Sequence, residues 1–257
     1  MDQENIDRLL FNRIADKYAA KDTVQSSQIA RLYWVQHLLH LFLNYRTNLG
    51  NVLEIGCGIG APAKYLDGYY EKYIGIDQSE ILVEKARQYN YNNLKAQFRC
   101  INVKEIDRQQ DIGQTIDTIL SIGALHHMTD LDEVFITLKK IIKSGDYLII
   151  SEPYRSNVFL QALRYFRILV DKNYSRKQKF FSENDLKELL TKHNLKIKKI
   201  TYQGFFSPPF AQVIIKPQFV AVPLSRLAVW TDKILDKHAA RFLKKISWNI
   251  NIIAQFN

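Results

Sequence analysis

The residues most able to do chemistry lie in one short segment, where glycines occupy alternate positions. The segment reads VLEIGCGIG from 52 to 60, so an apolar strand containing Glu54 runs directly into Gly56, Gly58 and Gly60. Backbone can approach a ligand closely at glycine because no Cβ intervenes. A loop of this kind between a strand and a helix also presents unpaired N–H groups to the ligand. The pattern predicts a nucleotide-binding site.

Acidic residues near this loop restrict the kinds of ligand that it can bind. Glu54 lies two residues before the first glycine, where a carboxylate would repel a pyrophosphate and attract an ammonium or sulfonium group. Asp77 follows the next predicted strand, seventeen residues after Gly60, near the spacing of about 20 expected for an acid that binds ribose. Because the loop also fits the loose G-x-G-x-x-G/A pattern, a nicotinamide-dependent oxidoreductase stays open as a minor alternative.

A particular framework is needed to bring these residues together. From Leu53 to Ile150, strand-like segments alternate with helical patterns, which predicts a parallel sheet covered by helices on both faces. Ligands of such sheets bind at the carboxyl ends of the strands. Four polar residues fall at these ends, namely Glu54, Asp77, Asn102 and Ser121. We therefore expect one binding site at this edge of the sheet.

The order strand, glycine loop, helix, strand and Asp resembles the class I S-adenosylmethionine (SAM) dependent methyltransferases. The L-H-H segment at 125–127 and the predicted fifth strand, 146–153, are similar to the small-molecule branch of methyltransferase types 11 and 25. The likeness covers roughly residues 50 to 155. It implies an α/β, Rossmann-like fold with a seven-stranded, mostly parallel sheet, helices on both faces and an antiparallel seventh strand.

The resemblance also implies a role for each site residue. Glu54 and the glycine loop would hold the methionine end of SAM, Asp77 the ribose hydroxyls, and Asn102 with Val103 the adenine. Asn102 departs from the family, which has an acid there, but its amide oxygen can still accept from the adenine amino group. The expected cofactor-binding residues are Tyr18, Glu54, Gly56, Cys57, Gly58, Gly60, Asp77, Gln78, Asn102, Val103 and Ser121.

Two adjacent histidines, His126 and His127, are the candidate catalytic residues. They follow the predicted fourth strand, beside the expected position of the methyl group, and histidine has a suitable pKa for accepting a proton from a nucleophile. The alternative is that they shape the pocket or bond to backbone. Glu152, at the end of the fifth strand, is expected to face the substrate. No metal site is predicted, because Ser121 stands where some catechol methyltransferases have an acid.

The remaining segments are expected to cover this core. Helices over 3–20 and 26–44 are predicted from the spacing of apolar residues, and Tyr18 would lie near the methionine end of SAM. The expected organisation is 1–48 as helices over the cofactor site, 49–206 as the SAM-binding core, 207–246 as a helical cap, and 247–257 as the last strand.

The cap contains an apolar stripe at helical spacing, formed by Leu227, Trp230, Ile234, His238 and Phe242. One interpretation is an amphipathic lid for a lipid-like or aromatic substrate. Another is a helix that rests on an anionic membrane surface through residues 224–245. The third is an ordinary cap helix whose apolar stripe packs on the domain.

Composition restricts the class of protein further. The net charge of +10, from 36 Lys and Arg against 26 Asp and Glu, suggests attraction to anions. A basic and aromatic stretch at 164–180 is the best argument for a nucleic-acid partner, through Arg164, Arg167, Lys172, Arg176, Lys177 and Lys179. The Asn/Asp-Pro-Pro-aromatic motif of nucleobase amino methyltransferases is absent, so a nucleic-acid acceptor is disfavoured. Two cysteines and the lack of a long apolar run predict a cytoplasmic protein.

We therefore expect a SAM-dependent methyltransferase that modifies an O, N or C nucleophile of a small or lipid-like molecule and releases S-adenosyl-L-homocysteine. An RNA or protein methyltransferase that uses the basic stretch is one alternative. A SAM-binding module without catalysis is another.

Overall fold

The computed structural model describes residues 3–109, 112, 116–155, 180–238 and 244–257. At its centre is a seven-stranded sheet in the order β3-β2-β1-β4-β5-β7-β6. The strands are β1 Asn51–Ile55, β2 Lys72–Asp77, β3 Ala96–Cys100, β4 Ile116–Ile122, β5 Ile142–Pro153, β6 Leu195–Gln203 and β7 Asn249–Phe256. Strands β1 to β5 are parallel, while β7 is antiparallel to β5 and β6. The predicted Rossmann-like sheet is confirmed.

Helices lie on both faces of this sheet. They are α1 Gln3–Thr23, α2 Gln25–Phe42, α3 Ala61–Tyr65, α4 Glu80–Tyr89, α5 Leu131–Ile141, α6 Glu183–Lys192, α7 Pro208–Gln212 and α8 Gln218–His238. Short 3₁₀ helices follow β3 and β4, at Val103–Arg108 and Leu125–His127. Ser182 caps α6 in a capping box, since its hydroxyl accepts from the N–H of Asp185 and its own N–H donates to the Asp185 carboxylate.

The alternation of side chains along the strands divides the core into two layers. In β1, Leu53 and Ile55 belong to the apolar cluster shared with α5 and α6, while Val52 belongs to the cluster that includes Phe42 of α2. The middle of β5 is buried on both faces, as expected for a central strand of a covered parallel sheet. The sheet is therefore packed on both of its faces.

The segment predicted as a cap packs against α2. Trp34 donates from its indole Nε1 to the hydroxyl of Ser207 at 3.0 Å, and the Ser225 hydroxyl donates to the carbonyl of Ser26 at 2.7 Å. Asp232 accepts from three consecutive backbone N–H groups, those of Phe205, Phe206 and Ser207. Helix α8 is therefore held on the domain in a defined orientation.

The predicted apolar stripe does not mediate this packing. Leu227, Trp230 and Ile234 are 58%, 61% and 43% exposed, so α8 contacts the domain through a different face. The interpretation that the stripe itself packs on the domain is wrong for these three residues. The fifth stripe residue, Phe242, lies outside the described residues, and so does the basic stretch except Phe180. The RNA and protein alternatives therefore stay predictions.

Candidate active site

A pocket of about 780 Å³, including its open mouth, lies at the carboxyl edge of the sheet. Its walls are formed by the ends of β1, β2 and β4, the start of the segment after β3, and helix α1. The predicted site residues found in its walls are Tyr18, Gly56, Gly58, Asp77, Gln78, Asn102, Val103 and His127. Five others, Glu54, Cys57, Gly60, Ser121 and His126, lie behind the walls. The structure thus divides the predicted residues into a pocket wall and a supporting layer.

The three glycines of the loop have left-handed backbone conformations, with φ of +68°, +53° and +67° at Gly56, Gly58 and Gly60. A Cβ at Gly56 would lie 2.5 Å from the Cβ of Ala124, and one at Gly60 would lie 2.4 Å from Cε1 of Phe98. A Cβ at Gly58 would only reach ordinary contact with the Tyr18 ring, at 3.5 Å. Two glycines therefore permit close internal packing, while Gly58 leaves space at the pocket.

Asp77 connects the glycine loop to the end of β2. One carboxylate oxygen accepts from the N–H of Gly58 at 2.9 Å, and the other accepts from the N–H of Ser79 at 2.9 Å. Burial raises the pKa of this carboxyl, although the hydrogen bonds oppose the shift. A carboxylate oxygen has more than one acceptor site, so Asp77 can still accept from ligand hydroxyls.

Asn102 is fixed by the 3₁₀ helix that follows it. Its side-chain oxygen accepts from the N–H of Lys104 at 3.0 Å and caps the helix. An amide oxygen has two lone pairs and can accept from more than one donor. The adjacent wall is apolar, with Ile76, Leu82 and Ile101, and suits a flat aromatic ring.

Glu54 lies beneath the loop rather than at its mouth. It is 2% exposed, and the Tyr73 hydroxyl donates to its carboxylate at 2.6 Å. Burial raises the pKa of Glu54 to about 8, so the carboxyl is largely protonated at neutral pH in this state. The direct contact with the methionine end of SAM stays a prediction, and the structure gives Glu54 a supporting position.

Glu152 organises the segment after β4. It is fully buried, and one oxygen accepts from the N–H groups of Ala124 and Leu125 at 3.0 and 2.8 Å. Its other oxygen is 2.8 Å from Nδ1 of His126. The expectation that Glu152 faces the substrate is therefore wrong, because its acceptor atoms are occupied by backbone and histidine behind the wall. His126 shares this buried position.

His127 is the histidine that reaches the pocket. Its ring packs edge-on against Phe11 at 5.0 Å between centroids, and its Nδ1 is 3.5 Å from a carboxylate oxygen of Asp7. Burial, reinforced by His126, lowers the pKa of His127 to about 4 although Asp7 opposes the shift. The ring is therefore unprotonated at neutral pH and can accept a proton.

Helix α1 covers the pocket and supplies Asp7, Phe11 and Tyr18. It is anchored on α4, where the Ser79 hydroxyl donates to the Asn12 side chain at 2.6 Å. It is anchored on α2 by a buried ion pair at 2.7 Å between Arg31 and Asp22. The N-terminal helices over the site were expected from sequence, whereas these anchoring pairs were not.

Several wall residues carry no sequence signal. These are Phe11, Ile76, Leu82, Ile101, Gly123, Ala124 and Met128. Three of them, Phe11, Ile76 and Leu82, lie in ordinary helices and strands, and the other four lie in connecting segments, so nothing in their types distinguishes them from core or loop residues. Glu152 and Asp7 do not belong to a recognisable motif either. For Glu152, however, the position of a carboxylate at the end of an apolar strand was a usable signal.

Two further properties concern metal binding and membrane crossing in the described part of the chain. Within it, no group of three or more His, Cys, Asp or Glu side chains is arranged to hold a metal ion. None of its helices is long and apolar enough to cross a membrane.

Comparison with known proteins gives a consistent class. Residues 27–200 match a family model described as "Methyltransferase domain". The chain is 25% identical over 174 residues to a polyketide synthase-nonribosomal peptide synthetase from Pyricularia grisea, covering 58% of this chain and 4% of that protein. It is 25% identical over 165 residues to a ubiquinone biosynthesis O-methyltransferase from Bradyrhizobium diazoefficiens, covering 62% and 63%. The chain spans only 4% to 38% of several curated relatives it matches.

The fold has a full-length counterpart among solved structures. The crystal structure of magnesium protoporphyrin IX methyltransferase from Synechocystis, with bound SAH, matches with a TM-score of 0.66 and 15% identity, covering 100% of both chains. At this identity the likeness concerns the fold. Fold and pocket together define a class I SAM-dependent methyltransferase. Because the family model matches more than half of the chain, the chain belongs to the methyltransferase-domain family.

Proposed function

We propose that this protein transfers a methyl group from SAM to an oxygen, nitrogen or carbon nucleophile of a small or lipid-like molecule. The observation that carries the proposal is that one pocket joins Gly58, Asp77, Asn102 and His127. The names of two similar proteins, for ubiquinone biosynthesis and for magnesium protoporphyrin IX, support a small and largely apolar acceptor.

The pocket residues fit the adenosine part of SAM. Asp77 offers carboxylate oxygens that can accept from ribose hydroxyls, and Gln78 lies beside it in the wall. The side-chain oxygen of Asn102, next to Val103 in the wall, would be the acceptor for the adenine amino group. The apolar side chains of this wall would pack on the adenine ring. Gly58 adds no Cβ to the space that the ligand needs.

The methionine part of SAM would lie toward Gly56 and Tyr18. Burial raises the pKa of the Tyr18 hydroxyl, and the carboxylate of Asp22 adds to the shift, with smaller contributions from Asp77 and Glu54. A cationic group bound beside Glu54 would favour its ionised form. We therefore expect cofactor binding to release a proton from Glu54 near neutral pH.

When bound, SAM supplies an electrophilic methyl group on its sulfonium. The chain must then align the acceptor, exclude water and take up the acceptor's proton. We assign His127 as the proton acceptor because its ring lines the pocket, and the nearby Asp7 opposes the lowering of its pKa. Asp7 stabilises the resulting imidazolium through its proximity to Nδ1. Phe11 and Met128 keep water from the reacting groups.

The test is turnover with isotopically labelled SAM and a panel of phenols, hydroquinones, porphyrin carboxylates and sterols. The wild type is compared with His127→Ala and His126→Ala. We expect labelled product from at least one acceptor class and a loss of about 100-fold in kcat for His127→Ala. Equal activity of His127→Ala and wild type on an accepted substrate would exclude the proposed role of His127. Labelling of protein or RNA alone would exclude a small-molecule acceptor.

A further inference from the structure

Helix α8 has an unusual distribution of side chains, because small and polar residues face the domain and large apolar residues face outward. The residues buried against the domain include Ala221, Ser225, Ala228, Val229 and Asp232. The outward residues are Phe219, Val220, Leu224, Leu227, Trp230 and Ile234, which are between 42% and 81% exposed. At about 100° per residue they span an arc of about 140° opposite the buried side. We call these six residues the apolar ridge.

The ridge is not the result of a loosely attached helix. The hydrogen bonds of Ser225 to Ser26 and of Asp232 to the backbone at 205–207 lie on the opposite side of α8. The Tyr33 hydroxyl also donates to Asp236 on that side. Rotation of the helix to bury the ridge would break all of these bonds. The outward orientation is therefore built into the fold.

The exposed charged residues of α8 beside the ridge are all cations. Arg226, Lys233 and Lys237 are exposed along one flank of α8 and have no carboxylate partner within the described residues. The two acids of the helix, Asp232 and Asp236, face the domain instead. The exposed side of α8 thus combines an apolar surface with cations, and it adds to a chain with a net charge of +10.

We infer that the apolar ridge docks this protein on an anionic lipid surface. Such a helix lies in the interfacial layer with its apolar side in the acyl boundary, and each nearby Lys or Arg adds attraction to anionic headgroups. Trp230 is the residue type that suits this layer, because its ring is apolar and its N–H is polar. A second copy of the chain would fit less well, since the exposed side of its own α8 offers cations and no acid. The inference goes beyond the proposed methyl transfer and does not depend on it.

The experiment is sedimentation of the whole chain with phosphatidylcholine vesicles and with vesicles that contain one quarter phosphatidylglycerol. Leu227→Glu places a carboxylate on the ridge, and Leu94→Glu makes the same change at a residue that is 96% exposed elsewhere. We expect binding to the anionic vesicles, at least tenfold weaker for Leu227→Glu and unchanged for Leu94→Glu. No binding by wild type, or equal binding by Leu227→Glu, would overturn the inference.

Two further variants separate the contributions to binding. Lys233→Gln combined with Lys237→Gln is expected to weaken binding to anionic vesicles by about fivefold per charge. Trp230→Phe should retain binding but lose the blue shift of tryptophan emission on addition of vesicles. A shift that persists in Trp230→Phe would overturn the assigned orientation. Light scattering tests whether a second copy of the chain covers the ridge instead. If wild type is a dimer and Leu227→Glu is a monomer, the ridge is a dimer interface, and the lipid inference is overturned.

Discussion

The pocket wall and the layer behind it contain similar residue types that have different surroundings. Asp77 and His127 line the pocket, whereas Glu152 and His126 lie behind it and bind each other and the backbone. Both layers pair acids with backbone N–H groups, but only the wall keeps acceptor atoms directed to a cavity. We therefore propose that binding and catalysis depend on the wall, and that the buried layer holds the wall in its geometry.

The largest effect is expected for the buried layer, from Glu152→Ala. The change removes the acceptor for two backbone N–H groups and for His126, all of them buried, so unfolding free energy should fall by about 3 kcal/mol. Denaturant unfolding of wild type and variant measures the loss. Glu152→Gln is the control, because one amide oxygen can still accept from both N–H groups. A fully stable Glu152→Ala would contradict the assigned supporting role.

Two of the three loop glycines, Gly58 and Gly60, test the same difference between the wall and the layer behind it. Gly60→Ala meets the Phe98 ring at 2.4 Å and should lose about 2–3 kcal/mol of stability. A Cβ at Gly58 would make only an ordinary contact, so Gly58→Ala should lose only about 1 kcal/mol of stability, because of its left-handed backbone. The same change should weaken SAH binding. Thermal unfolding and calorimetric titration of both variants provide the two readouts. The reverse order of stabilities would show that the loop packs differently.

The pH dependence of kcat tests the role of His127. His127 has a pKa of about 4, below its ordinary value of 6.5, so kcat should not change through this group between pH 6 and 8. It should fall only as the pH approaches 4. Since the folded pKa is lowered, protonation of the unfolded chain also removes stability as the pH falls from 6.5 toward 4. A loss of activity centred near pH 6.5 that His127→Ala abolishes would contradict the lowered pKa.

Glu54 provides the smallest and most specific effect. Its pKa is raised from 4.5 to about 8, so folding favours the protonated carboxyl. The stability that this provides is present below pH 4.5 and is lost as the pH rises toward 8. Glu54→Gln should therefore be more stable than wild type by about 1–2 kcal/mol at pH 9, but not at pH 5. Equal pH profiles of unfolding for the two proteins would place Glu54 in a more polar environment.

The sequence predicted the wall better than the layer behind it, for a physical reason. Gly56, Gly58 and Asp77 follow strand ends at a spacing that predicts a ligand site, and all three line the pocket, although Gly56 is also required by its close packing on Ala124. Glu152 lies in β5, whereas His126 and the backbone N–H groups that it binds lie in the segment after β4. No sequence pattern indicates which residues of two different strands are in contact. The same limit applies to α8, where periodicity predicted a stripe at Leu227, Trp230 and Ile234 but not its outward direction. That direction was decided by Asp232 and Ser225 on the other face.

The most direct test of the central claim is calorimetric titration of wild type and Asp77→Ala with SAH, in parallel with NADH. We expect micromolar binding of SAH by wild type, no binding of NADH, and loss of SAH binding in Asp77→Ala, because the carboxylate would accept from ribose and also accepts from the N–H of Gly58. Glu71→Ala, at an exposed acid outside the pocket, should bind SAH as wild type does. Unchanged SAH affinity in a folded Asp77→Ala, or binding of NADH in place of SAH, would contradict the account.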